Sequence, residues 1–142
     1  MVYLNCQNMF DIRGKNIIIT GSGKGIGLQL ANGISEQGAN VIRIDKNFKK
    51  KNKNFCDFKF NLENLEKISN LVKTIHKKFY RIDGLINNAG VTFHNSFSIQ
   101  KVYKTININL ISSFELTKKI CPIMAKNKFG SIINITSLGA DF

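Results

Sequence analysis

The chain has 142 residues, of which 43% are hydrophobic, and its 21 basic and 9 acidic residues give a formal net charge of +12. This length suits one compact domain, so we treat residues 1–142 as a single domain. All but three of the basic residues are lysine, and such a bias in residue usage accounts for the charge as well as a nucleic-acid-binding surface would.

Segments typical of strands alternate with segments typical of helices along the chain. Residues 16–20, NIIIT, are apolar and rich in β-branched side chains, as in a strand buried on both faces. A helix is predicted from Gly25 to about residue 37, and a second strand at 41–45. A third strand is predicted at 55–60, followed by an amphipathic helix at 64–79 with apolar residues at helical spacing.

The second half of the chain continues the alternation. A fourth strand is predicted within 82–90 and a fifth within 130–136. The region between them is predicted to be helical and includes 112–126, where Pro122 is expected to kink or break the helix. Strands that alternate with helices indicate right-handed crossovers and a parallel sheet that helices cover on both faces.

The loop TGSGKGIG, residues 20–27, lies directly between the first strand and the first helix. Glycines here permit a tight turn, a close approach of a diphosphate to the backbone, and close packing of helix on sheet, while the helix N-terminus offers free N–H groups to an anion. A glycine-rich turn that only packs is the alternative. The nucleotide-binding residues predicted in this loop are Gly21, Ser22, Lys24, Gly25, Ile26 and Gly27.

Asp45 is expected at the carboxyl end of the second strand, twenty residues after Gly25. A carboxylate there accepts hydrogen bonds from the adenosine ribose hydroxyls and repels a 2′-phosphate, which predicts NAD rather than NADP as the cofactor. Lys46 and the lysines after it offset part of this repulsion. Capping of a turn is the alternative role of Asp45.

The motifs TGSGKGIG and NNAG, in this order and separation, resemble those of the classical short-chain dehydrogenase/reductase family. The resemblance implies a Rossmann-type doubly wound α/β fold with strand order 3-2-1-4-5. It also implies that Asp57 and Phe58 meet the adenine ring, and that the segment from Asn87 through Ala89 to Gly90 lines the ribose side and stabilises the sheet.

Two catalytic residues follow from the same resemblance. Asn109 matches the asparagine that holds a water in the family's proton relay, and Ser137 matches the serine that orients the substrate oxygen. On the local sequence alone, the alternative for Asn109 is a buried asparagine bonded to backbone, and the alternative for Ser137 is a helix cap or a turn hydroxyl. The family's Y-x-x-x-K motif is missing, because none of the three tyrosines has a lysine four residues later.

The function implied is hydride transfer between NAD(P) and a small alcohol or carbonyl substrate. We interpret the chain as an N-terminal part of such an enzyme, inactive alone, and expect a homo-oligomer only for the full-length form. A non-catalytic NAD-binding module and, less favoured, a basic nucleic-acid-binding protein are the alternatives. The predicted partners include neither nucleic acid nor a membrane.

Cysteine usage and the length of apolar runs indicate the cellular location that we expect for the protein. Its three cysteines are widely spaced and form no CxxC pair, which argues against a disulfide framework and a zinc site, so no metal is predicted. No apolar run approaches transmembrane length, and the first 15 residues lack the apolar segment of a signal peptide. We expect a cytoplasmic protein.

Overall fold

A sheet of five parallel strands forms the centre of the molecule in a computed structural model that describes residues 11–48, 53–93 and 98–137. In chain order the strands are β1 (Asn16–Thr20), β2 (Asn40–Asp45), β3 (Phe55–Lys59), β4 (Gly84–Asn87) and β5 (Ser131–Asn134). Their spatial order is β3-β2-β1-β4-β5, which confirms the predicted doubly wound topology. Strand addition reverses direction at β1, so a crevice opens between the carboxyl ends of β1 and β4.

The part of the chain that the structure describes contains four α-helices. They are α1 (Gly25–Glu36), α2 (Ile68–Phe79), α3 (Ile99–Ile106) and α4 (Ser112–Lys126). A 3₁₀ turn, Leu65–Lys67, precedes α2, and a π turn, Asn107–Ile111, joins α3 to α4 without a break. None of the helices in the described ranges has the length and apolar character that a membrane crossing requires.

Two hydrophobic cores lie on opposite faces of the sheet. Successive side chains of a strand point to opposite faces, so Ile17 and Ile19 contribute to one core, with Ala31 of α1, and Ile18 contributes to the other, with residues of α2 and α4. All five residues of β1 are buried. A central strand without an exposed face is what coverage by helices on both sides requires.

Pro122, which was expected to kink or break its helix, does not break it. Helix α4 runs for 15 residues with Pro122 inside it. Proline removes one backbone hydrogen bond of the helix, but Ile120 and Met124, on either side of it, are buried in the core that α2 and α4 share. Their burial, worth roughly 1.5–3 kcal/mol for each large apolar side chain, offsets that loss.

Candidate functional site

A cleft of about 560 Å³ lies at the carboxyl edge of the sheet, beside the switch point between β1 and β4. Five segments line it. They are the glycine-rich loop with the start of α1, the end of β2 at Asp45 and Lys46, residues 60–62 after β3, residues 88–91 after β4, and Ile108 in the π turn. Every segment except the last follows a strand, so the parallel sheet itself brings them together.

Three of the four glycines of the loop, Gly21, Gly25 and Gly27, meet different requirements. Gly21 has a positive φ of 64°, and a Cβ there would lie 2.8 Å from the Cα of Ala89. At Gly27 a Cβ would overlap the Gly21 carbonyl. Gly25 also has a positive φ, of 55°, but a Cβ there would meet nothing within 4 Å. The open space beside Gly25 is where a ligand can approach the backbone closely.

The first turn of α1 is free to receive an anion. Helix N-termini leave backbone N–H groups without intrahelical partners, and Lys24, at the N-cap, makes no side-chain capping bond. The first turn contains no acidic residue either. Partial positive charge at an uncapped helix end, next to an open cleft, suits a phosphate group.

Ser22, a predicted nucleotide-binding residue, is turned away from the cleft. Its side chain is fully buried, and its hydroxyl donates a 2.8 Å hydrogen bond to the Ile19 carbonyl. The other five predicted residues of this loop line the cleft. The side chain of Ser22 therefore closes the turn that follows β1.

Asp45 both lines the cleft and fastens the loop above it. Its Oδ2 accepts a 2.8 Å hydrogen bond from the Gly23 backbone N–H, and its Oδ1 accepts one of 3.0 Å from that of Asn47. A Cβ at residue 23 would overlap the Asn47 carbonyl and lie 3.0 Å from the Asp45 carboxylate. These bonds fix the direction in which the carboxylate faces.

The Thr20 hydroxyl, which the sequence analysis did not single out, joins the two sides of the crevice. It accepts hydrogen bonds of 3.0 Å from the backbone N–H groups of both Asn88 and Ala89, and lies 3.4 Å from the Ile86 carbonyl. Only 1% of Thr20 is exposed. A hydroxyl immediately before a glycine-rich turn is the sequence signal that could have identified it.

Asp57 and Phe58, predicted to meet an adenine ring, do not line the cleft. Asp57 forms two 2.7 Å bonds with the guanidinium of Arg43, and Phe58 packs against the α2 and α4 core. The register explains this, because Asp45 at the carboxyl edge pairs with Lys59. Residues at that edge must therefore come after β3, and the structure places residues 60–62 there.

Arg43 is the largest polar feature that sequence reasoning missed. Its side chain is only 3% exposed, stacks between the rings of Phe48 and Phe55 at 4.7 and 4.4 Å, and bonds Asp57. One guanidinium nitrogen lies 3.5 Å from the Ser22 carbonyl. The charge of Arg43 is thus satisfied inside the protein, between β3 and the glycine-rich loop.

The four residues of NNAG divide between sheet and cleft. The Asn87 side chain is buried, and its amide donates a 2.9 Å bond to Asn134 Oδ1, which ties β4 to β5. The Asn88 amide bonds the carbonyls of Thr20 and Gly21 at 3.0 and 3.2 Å. Asn88, Ala89 and Gly90 line the cleft, whereas Asn87 lies beneath it.

The two predicted catalytic residues lie on the β4–β5 side of the sheet. The Asn109 side chain bonds the backbone of Val91 twice, accepting from its N–H at 2.9 Å and donating to its carbonyl at 3.0 Å. Asn109 lies in the π turn, an arrangement frequent at functional sites, and Val91 lines the cleft. Ser137 is exposed, three residues after β5 ends.

The chain matches known proteins along almost its whole length. Residues 15–142 match the family described as short chain dehydrogenase. The curated relatives include the short chain dehydrogenase adrF of Penicillium rubens, 36% identical over 133 residues, and the 3-oxoacyl-[acyl-carrier-protein] reductase FabG of Buchnera aphidicola, 34% identical over 140 residues. These alignments cover 87% and 89% of this chain but 52% and 56% of the relatives, so the chain spans about half their length.

A solved structure shares the fold. A metagenomic short-chain oxidoreductase in complex with NADP is 25% identical, with a TM-score of 0.85, and the match covers 90% of this chain and 64% of that one. Sequence and structure comparisons therefore point to the same group of proteins.

Proposed function

The chain belongs to the short-chain dehydrogenase family, and from this premise we propose that its cleft binds NAD as part of an oxidoreductase acting on an alcohol or carbonyl group. One observation carries the proposal. A single cleft combines an uncapped helix N-terminus, open backbone at Gly25 and a fixed carboxylate at Asp45. A diphosphate fits the first two and a ribose diol fits the third.

The preference for NAD over NADP rests on how Asp45 is held. Because two backbone N–H groups fix its carboxylate, the negative charge cannot turn away from an incoming 2′-phosphate. Lys24 and Lys46 line the same cleft and reduce the repulsion, but ordering a lysine side chain costs conformational entropy. One relative carries NADP, so the measurement must compare both cofactors.

The remaining cleft residues receive roles in the same proposal. Residues 60–62 lie beside Asp45, joined by a 2.8 Å bond from the Phe60 N–H to the Asp45 carbonyl, and would hold the adenine ring. Asn88, Ala89 and Gly90 would hold the second ribose. The adenine contact that was predicted for Asp57 and Phe58 is thus proposed for residues 60–62, in the loop after β3.

Hydride chemistry also needs a proton moved on the substrate oxygen. The nicotinamide ring supplies or accepts the hydride when the cofactor is bound. Ser137 would donate a hydrogen bond to the substrate oxygen, and Asn109 would hold the π turn against Val91. Since no tyrosine in these 142 residues has a lysine four positions later, we expect the chain to bind nucleotide without turnover by itself.

Binding and turnover are measured separately. Titration of the chain with NADH, followed by nicotinamide fluorescence, should show saturable binding that NAD displaces at lower concentration than NADP. Absorbance of reduced nicotinamide, with a panel of alcohols and ketones, should show no turnover above background. Absence of nucleotide binding would refute the cofactor assignment, and robust turnover by the 142 residues would refute the expectation of inactivity.

A further inference from the structure

Three polar side chains joined in series connect α3 to the cleft. Lys104 of α3 forms a 2.9 Å ion pair with Oε2 of Glu63. The same oxygen accepts a 3.2 Å hydrogen bond from the side-chain amide of Asn61, while the Glu63 backbone N–H donates to Asn61 Oδ1 at 3.1 Å. Asn61 lines the cleft and the other two do not.

The two bonds to Glu63 fix the orientation of the Asn61 amide. An asparagine side chain offers a donor group and an acceptor of nearly the same shape, and here each end has a separate partner on one residue. Lys104 in turn decides where the Glu63 carboxylate lies. Removing the ammonium group of Lys104 is therefore expected to loosen the side chain of Asn61, a cleft residue, without altering any residue that lines the cleft.

Charge around Glu63 supports an ionised pair. The pKa of its carboxyl is lowered, first because Lys104 donates a hydrogen bond to it, and then through the Asn61 bond and the charges of Lys104 and Lys46. Lys46 is itself a cleft residue. The charges of a cleft lysine and of a lysine of α3 therefore both favour the ionised carboxylate.

The π turn that continues α3 reaches the cleft as well. Ile108, in this turn, lines the cleft, and Asn109 bonds the backbone of Val91. The helix is therefore fixed to both walls, to the loop after β3 through Lys104 and to the segment after β4 through Asn109.

We infer that Lys104 and Glu63 are positioning residues for nucleotide binding, which set the Asn61 amide and the loop after β3 on the adenosine side of the cleft. The inference rests on the proposed function, because it assumes that this cleft is where the nucleotide binds. It assigns a role in nucleotide affinity to two residues that do not line the cleft, Lys104 of α3 and Glu63 in the loop after β3.

The test compares Lys104→Met and Lys104→Arg with Lys118→Met as a matched control. Lys118 forms an ion pair with Glu115 within α4, at 3.7 Å, away from the cleft. Binding of NADH is followed by fluorescence, and ADP, which carries only the adenosine half, is measured by displacement of NADH. Circular dichroism melting of each variant reports stability.

Lys104→Met should raise the Kd for NADH and for ADP by the same factor, about two- to fivefold, the range expected for a partly exposed ion pair. Lys104→Arg should restore most of the affinity, and Lys118→Met should leave it unchanged. The difference in Kd between Lys104→Met and the unaltered chain should shrink in high salt, because salt screens an exposed ion pair.

Three results would overturn the inference. One is a Kd for Lys104→Met equal to that of Lys118→Met, even if the melting temperature falls. Another is no rescue by Lys104→Arg, and the third is a change for NADH with none for ADP. If the unaltered chain does not bind NADH at all, the proposed function is refuted and this inference with it. If the unaltered chain binds NADH and one of the three results is found, only this inference is refuted.

Discussion

Replacing Thr20 with valine tests whether one hydroxyl holds the two sides of the crevice together. Valine keeps the shape of threonine but leaves the backbone N–H groups of Asn88 and Ala89 without their acceptor. A buried donor without a partner costs about 1–3 kcal/mol. Both groups are partly buried, so values near the lower end apply to each, and we expect Thr20→Val to lower the free energy of unfolding by about 2–4 kcal/mol.

Thr20→Ser is the matched control, since it keeps the hydroxyl and removes only a methyl group. We expect it to cost about 1 kcal/mol. Urea titrations followed by circular dichroism at 25 °C give both values, and NADH titrations should show weaker binding by Thr20→Val than by Thr20→Ser. Two results would refute the role of the hydroxyl. One is a free energy of unfolding of Thr20→Val within about 0.5 kcal/mol of the unaltered chain, a margin usual for neutral substitutions. The other is a lower free energy of unfolding for Thr20→Ser than for Thr20→Val.

Three further substitutions test the loop and its supports. Gly27→Ala drives a methyl group into the Gly21 carbonyl and should abolish detectable NADH binding in the fluorescence titration; unchanged affinity would contradict the packing described. Asp45→Asn removes the charge and one of the two oxygens that accept backbone hydrogen bonds, so the ratio of NADP Kd to NAD Kd should fall by roughly tenfold, or 1.4 kcal/mol; an unchanged ratio would mean that the carboxylate does not select between the two cofactors. Arg43→Met leaves Asp57 without its ion-pair partner and should cost about 3 kcal/mol of unfolding free energy by urea titration, whereas a loss below 1 kcal/mol would show that the pair is not needed.

The strands were predictable because their signals are continuous, whereas their order followed from the resemblance to a known family. The run from Ile17 to Ile19 has no polar residue and is fully β-branched, as is typical of a strand that helices cover on both faces. The glycine-rich loop after it could be located because its glycines are close together in the sequence. At Gly21 a positive φ and the close approach of Ala89 both exclude a side chain. Local sequence is enough where one residue type satisfies a local requirement.

The rest of the site depends on register and on contacts between distant residues. Whether Asp57 or Asn61 reaches the cleft depends on which residue of β3 pairs with Asp45, and that is set by the pairing of two strands. Arg43 looked like an ordinary strand residue, because its partner lies 14 positions away. The π turn at Asn109 could not be distinguished from regular helix by its apolar spacing.

The strand order also determines how the protein can assemble as it is synthesised. β2 pairs with β1, β3 with β2, β4 with β1 and β5 with β4, so each strand meets a partner that the ribosome has already released. The second edge of β1, which pairs with β4, stays unpaired longest. Asn16 and Asp83, which are hydrogen-bonded at this edge, are 67 residues apart. At about 5–20 residues per second, the most apolar strand of the chain keeps one edge open for several seconds. The interval between the release of β3 and that of β4 is therefore when the nascent chain is most exposed to wrong pairing, and when a chaperone has most to protect.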